Sequence, residues 1–188
     1  MKNLFSDLFK SSRQKNLEIK ASNIKEAERY IESVRERKSL PTISSSTFLN
    51  PGEQVFLEEE SKLIETRSVR QTQGVGGGIR LAKGVSIGQW SSKSESHKEW
   101  RTIDTGKITL TNKRIIFDGP KENRVIQLSK IIGVDTLLDS IEISQETRQN
   151  SSVFILKNPY IWTVVLRILK SVPDPLHLGD IDLNIKFE

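Results

Sequence analysis

Thr105-Gly106-Lys107-Ile108-Thr109-Leu110-Thr111-Asn112-Lys113-Arg114-Ile115-Ile116-Phe117-Asp118-Gly119 is the stretch whose reading decides the fold. Apolar residues alternate with polar ones up to Thr111, and a β-branched and aromatic run follows from Arg114. Thr111-Asn112-Lys113 between them supplies turn chemistry, because Asn tolerates a left-handed backbone and hydrogen-bonds locally. The stretch predicts two antiparallel strands, Lys107–Thr111 and Arg114–Asp118. Gly119-Pro120-Lys121-Glu122-Asn123 predicts a second tight turn into a third strand, Arg124–Leu128.

The period-two signal continues on both sides. Leu63–Gln71, Ile79–Gly88, Ser140–Ser144 and Val153–Lys157 read as further strands, for seven in all. In the second of these Ile79, Leu81, Val85 and Ile87 share one parity, so one face can be buried. Asn158 then reads as an N-cap and Pro159 as the first helical residue. Ile161, Val164, Val165, Ile168 and Leu169 form the apolar face of a helix that should plug the core. N-terminally, Ile24, Ala27, Ile31 and Val34 fall at three-four spacing from Ser22 to about Arg37, with Ser22 as a candidate N-cap and Pro41 just past the end. The expected organisation is a helical arm over residues 1–40, a Ser/Thr/Pro-rich linker over 41–52, a β domain over 53–171 and a tail over 172–188. The tail alternates Ile181, Leu183, Ile185 and Phe187 with Asp180, Asp182, Asn184 and Lys186, which predicts an extra strand.

The run from Thr105 to Gly119, followed by Val125-Ile126-Gln127-Leu128-Ser129-Lys130-Ile131, resembles the central hairpin of GRAM and bacterial pleckstrin-homology-like domains. In that superfamily a hairpin of this pattern, with Thr-Asn-x-Arg at its turn, precedes an Ile-x-Leu-x-x-Ile strand. The resemblance covers about residues 50–171. It implies a mainly β (α+β) fold: a seven-stranded bent antiparallel sheet capped by a C-terminal helix, here behind an N-terminal helical arm. The scaffold hosts lipid binders, peptide binders and structural subunits, so it fixes no ligand.

Gly74-Val75-Gly76-Gly77-Gly78 lacks the Lys-Ser/Thr of a P-loop, and a strand pattern follows it instead of a helix, so no nucleotide cradle is expected. The resemblance places it as a flexible hairpin tip between the first two strands, where lipid-binding pleckstrin-homology domains receive anionic head groups. Arg67, Arg70, Arg80 and Lys83 flank it as a candidate anion or lipid site. Four glycines are costly to order, which favours a generic anionic contact over a specific head-group pocket. Trp90 and Trp100 bracket a polar loop from Ser91 to Glu99 and read as caps of a small core or as interfacial anchors.

The 188 residues hold no cysteine, which removes disulfides, thiolate catalysis and Cys-type metal sites. Of the two histidines, His97 lies in the serine-rich loop, and His177 has only Asp174, Asp180 and Asp182 near it in sequence, which a solvated strand edge explains. No catalytic residue, metal site or cofactor is expected. Residues 61–130 hold 14 Lys/Arg against 6 Asp/Glu, whereas residues 131–188 hold 5 against 8. The basic part suits an anionic surface or is an ordinary solvated β face. These features predict a non-catalytic interaction or scaffolding module that binds a protein partner or a second copy of itself. The N-terminal helix (Ile24, Ile31, Val34) and the C-terminal strand (Ile181, Leu183, Ile185, Phe187) would make the contact. The expected location is cytoplasmic, with peripheral contact to an anionic membrane. A nucleic-acid-binding accessory protein using the basic face of residues 61–130 is the alternative, although no zinc finger, helix-turn-helix or ribonucleoprotein motif is visible.

Overall fold

A computed structural model of the protein describes residues 11–82 and 85–179, and for residues 68–82 and 85–98 the description extends to the backbone alone. The elements are α1 (Ser12–Arg37), β1 (Val55–Ala82), β2 (Val85–Thr111), β3 (Arg114–Asp118), β4 (Asn123–Gln127), a 3-10 turn (Leu128–Lys130), β5 (Ile131–Thr136), β6 (Ser140–Gln145), β7 (Ser152–Ile155) and α2 (Pro159–Ser171). Of the described residues, 11–65 and 102–179 form one compact unit, and Thr66–Arg101 belongs to a second. The second unit is the continuation of β1 and β2.

The seven strands form one sheet in the order β4-β3-β2-β1-β7-β6-β5. The hairpin that decided the sequence reading is present in register, with Ile108 opposite Phe117 and Leu110 opposite Ile115. All four side chains are fully buried. The sheet bends as a matter of geometry. Its edge strands β4 and β5 are joined by only three residues, and the four steps from Gln127 to Ile131 at about 2 Å of rise each reach about 8 Å. Six strand spacings of about 4.8 Å would hold the edges of a flat sheet about 29 Å apart. The sheet therefore curls until the end of β4 meets the start of β5.

α2 packs against β5 and β6 and joins the same core cluster as the buried residues of the sheet. Asn158 Oδ1 accepts from the amides of Tyr160 and Ile161 (3.1 and 3.4 Å), and Pro159 opens the helix. Val164, Val165, Ile168 and Leu169 are buried as expected, and Trp162 and Leu166 join them. The Trp162 indole donates to Glu59 at 2.6 Å.

The fold differs from the sequence reading in four places. The predicted strand Ile79–Gly88 is split: residues 79–82 end β1 and residues 85–88 open β2. Gly74–Gly78 therefore lies inside β1 and is not a tip between strands. Ser91–Glu99 likewise lies inside β2 and is not a loop. β5 was missed, because a register shift between Ile131 and Gly133 breaks its alternation. α1 starts ten residues earlier than Ser22. Ser11 caps it: its hydroxyl accepts from the Gln14 amide at 3.3 Å and its own amide donates to Gln14 Oε1 at 3.1 Å. Residues 12–19 are exposed and leave no apolar stripe to read.

The expectation that the α1 stripe docks on a partner or a second copy is overturned. Ala27, Ile31 and Val34 are buried and Ile24 is half-buried. Ile31 and Val34 belong to the same core cluster as Phe56, Leu63 and Trp162, and α1 packs on α2. Asn158 fixes the crossing, its amide nitrogen donating to the Asn23 carbonyl (3.1 Å) and to Glu26 (2.8 Å). The narrow stripe suffices because it covers the outer side of α2 and not a whole sheet. The predicted tail strand, with Ile181, Leu183, Ile185 and Phe187, lies outside the described residues.

Candidate functional site: a strap and groove on the outer face of the sheet

The stretch expected to be a free linker is tied down. Lys38 closes α1 in the left-handed region (φ 50°). Leu40 is buried and donates its amide to the Pro175 carbonyl at 2.9 Å. Ile43 then forms a bridge with Val55. From there the strap crosses the outer face of the first unit's sheet over polar residues that face away from the core. The Thr47 hydroxyl meets Thr109 at 3.2 Å, Thr109 donates to Glu58 at 3.1 Å, and Ser45 also bonds Glu58. Lys107 Nζ reaches Ser46 Oγ at 3.0 Å and Glu58 at 3.5 Å. Burial pushes the Glu58 carboxyl up, but the bonds from Ser45 and Thr109 and the Lys107 charge outweigh it and hold the group below the usual carboxylate range.

The Thr-Asn-x-Arg turn holds the far end of the strap. Asn112 Oδ1 accepts from the Gln54 amide (3.0 Å) and its Nδ2 donates to the Gly52 carbonyl (3.2 Å). Lys113 Nζ donates to the Pro51 carbonyl (2.9 Å). Gly52 sits at φ +71°, a conformation that favours glycine. Arg114 grips Glu53 with two parallel bonds, from Nε at 2.8 Å and from Nη2 at 3.0 Å, and Nη2 also donates to the Phe48 carbonyl at 3.2 Å. Thr111 adds a hydroxyl bond to Glu53 at 2.7 Å. The residues that carry the family resemblance are thus occupied in anchoring the strap.

The result is a groove of about 300 Å³ between the strap and the β3–β4 hairpin, lined by Phe48, Lys107, Arg114, Ile116, Asp118 and Val125 among others. Phe48 is 95% exposed at its rim, and Val125, opposite Ile116 in register, is 51% exposed. A phenylalanine held in water on a hydrogen-bonded frame is an exposed apolar anchor. Sequence reasoning missed Phe48, Ile116 and Val125. Phe48 sits in a Ser/Thr-rich stretch with no period. The side from which Val125 is open depends on β4 being an edge.

Of the candidate anion site, Arg67 is exposed on β1. The side chains of Arg70 and Arg80, and all of Lys83, lie outside the described residues. Trp100 is 56% exposed, and the Trp90 and His97 side chains lie outside the described residues. His177 Nδ1 pairs with Asp174 at 2.8 Å on the surface. No cluster able to hold a metal occurs among the described residues. Among them, too, no helix is long and apolar enough to cross a membrane.

No family model matches the sequence, and no curated protein matches it. Among solved structures the chain is similar to the C-terminal domain of an unknown protein from Leishmania infantum, at 8% identity and a TM-score of 0.36, over 64% of this chain and 88% of that one.

Proposed function

We propose that this chain is a non-catalytic interaction module of the pleckstrin-homology-like type that binds a protein partner through the strap and groove. The observation that carries the reading is Phe48, almost fully exposed on a strap held to the sheet by the Thr47 hydroxyl at Thr109 and by its own carbonyl at Arg114. Because the backbone is already ordered, docking loses little further conformational entropy. Burying the ring is worth about 1.5–3 kcal/mol. The seven-stranded antiparallel sheet and its C-terminal helix agree with what the resemblance implies.

The test is co-purification from the native cell with Phe48→Asp against wild type. Loss of the co-purifying protein with an unchanged melting temperature supports the reading, and full retention overturns it. A second reading rests on the 14 Lys/Arg against 6 Asp/Glu in residues 61–130: contact with an anionic surface, membrane or nucleic acid. Charge reversal of Arg70 and Arg80 weakens sedimentation with phosphatidylserine vesicles if the surface is a membrane. Salt-sensitive binding to bulk DNA points to nucleic acid instead.

A further inference from the structure

Among the described residues β4 is the last strand of the sheet on its side, and its hydrogen-bonding phase can be fixed. Gly119 N–H donates to the Glu122 carbonyl (3.2 Å) at one end of the β3–β4 pair, and Leu128 N–H donates to the Lys113 carbonyl (2.9 Å) at the other. With the register Ile115 opposite Ile126 and Phe117 opposite Arg124, the alternation of an antiparallel ladder makes these two the bonded pairs. The backbones of Asn123, Val125 and Gln127 therefore face away from β3. The Asn123 carbonyl is taken by Arg124 Nη1 at 2.9 Å. Val125 is left with both its N–H and its C=O turned to the open side, and its half-exposed side chain borders the groove beside Ile116 and Phe48.

The charge around this edge selects the occupant. From Lys113 to Lys130 there are five Lys/Arg against Asp118 and Glu122. Arg114, Arg124 and Lys130 are engaged by Glu53, Glu65 and Glu146, while Lys113 and Lys121 form no ion pair among the described residues. Two such edges brought together would repel, which disfavours a second copy. A strand carrying carboxylates is attracted.

We propose that the β4 edge takes one extended acidic segment of a protein partner as an added strand. Its backbone bonds to Val125, and its apolar side chains, at alternate positions, enter the groove formed by Phe48, Ile116 and Val125. This rests on the reading of the chain as a protein-interaction module and names the edge and the chemistry of what binds there.

The probe is a capped octapeptide of alternating Glu and Val, titrated into the full chain by calorimetry. Its controls are an alternating Lys and Val peptide and a block isomer with the Glu and Val residues segregated. Val125→Pro deletes the outward N–H without removing a bond to β3, and proline is tolerated on edge strands. Val125→Thr keeps the donor. The alternating acidic peptide is expected to bind wild type and Val125→Thr alike, to bind Val125→Pro about tenfold or more weakly, and to shift the Val125 amide resonance of the wild type. The control peptides are expected not to bind. Absence of binding, equal binding of the block isomer, or an unmoved Val125 amide overturns the edge proposal. None of these touches the Phe48 co-purification result, so the two readings fail separately.

Discussion

Arg114 and Glu53 form a two-bond fork, 2.8 and 3.0 Å, at the point where the strap joins β1, and the Glu53 carboxylate is fully buried. Arg114→Ala leaves that carboxylate without its counter-charge and is expected to destabilise the protein by about 3 kcal/mol. Arg114→Lys keeps the charge but not the fork, so the loss should be smaller while the Phe48 carbonyl still loses its donor. Urea denaturation of the two variants checks the order.

Acid should unfold the protein through three carboxylates. Burial pushes Glu53, Glu58 and Glu65 up, and hydrogen bonds and positive charges outweigh it: from Arg114, Asn50 and Thr111 at Glu53, from Ser45, Thr109 and Lys107 at Glu58, and from Arg124 and Arg148 at Glu65. Each group therefore binds a proton less readily folded than unfolded. Their stabilisation is complete above the ordinary carboxylate pKa of about 4.3 and declines as pH falls through it toward the lowered values. Melting temperature should be flat near neutrality and fall below about pH 4.5, and Glu65→Gln should flatten the acid limb.

Tyr30 contributes an unpaired hydroxyl. Its oxygen is buried with no hydrogen-bond partner among the described residues, and burial lifts its ionisation to about 12 despite the opposing charge of Arg37. Tyr30→Phe removes a desolvated group at constant shape and is expected to leave stability unchanged or raise it by about 1 kcal/mol. Thermal melts of the variant give the sign, and ultraviolet titration of the wild type should show no tyrosinate from Tyr30 at pH 10.

Gly106 has no room for a side chain. A Cβ there would lie 2.2 Å from the Asp118 carbonyl oxygen and 2.6 Å from the Gly119 Cα, both backbone atoms. Gly106→Ala should therefore force β2 and β3 apart at that end and cost about 1–3 kcal/mol. Gly133→Ala, whose nearest neighbour is a side chain at 3.7 Å, is the control with a small effect. Chemical denaturation of both distinguishes the clash from a general glycine effect.

What the sequence disclosed follows from how local each signal is. The β2–β3 hairpin and α2 were legible because the residues that shape them sit within a few positions of one another: Thr111 accepts from the Lys113 and Arg114 amides, and Asn158 caps the two residues that begin its own helix. The strap was not legible, since Ser45, Thr47 and Phe48 gain their partners at Glu58, Thr109 and Arg114, up to 66 residues away. The destination of the α1 stripe was hidden for the same reason. Its period identified a helix, but only the position of α2 in space says what the stripe covers.

The contacts of α1 bear on the order in which the chain can fold. Asn23 and Glu26 meet Asn158, the Leu40 amide meets Pro175, and the Leu178 amide meets Lys38, so this helix is held by partners made more than 130 residues later. During synthesis Ala27, Ile31 and Val34 leave the ribosome long before α2 exists to receive them. Contacts of such sequence separation form late and slow the folding of a domain. Until α2 is released the nascent chain carries an uncovered apolar stripe, the feature that draws chaperones and aggregation alike.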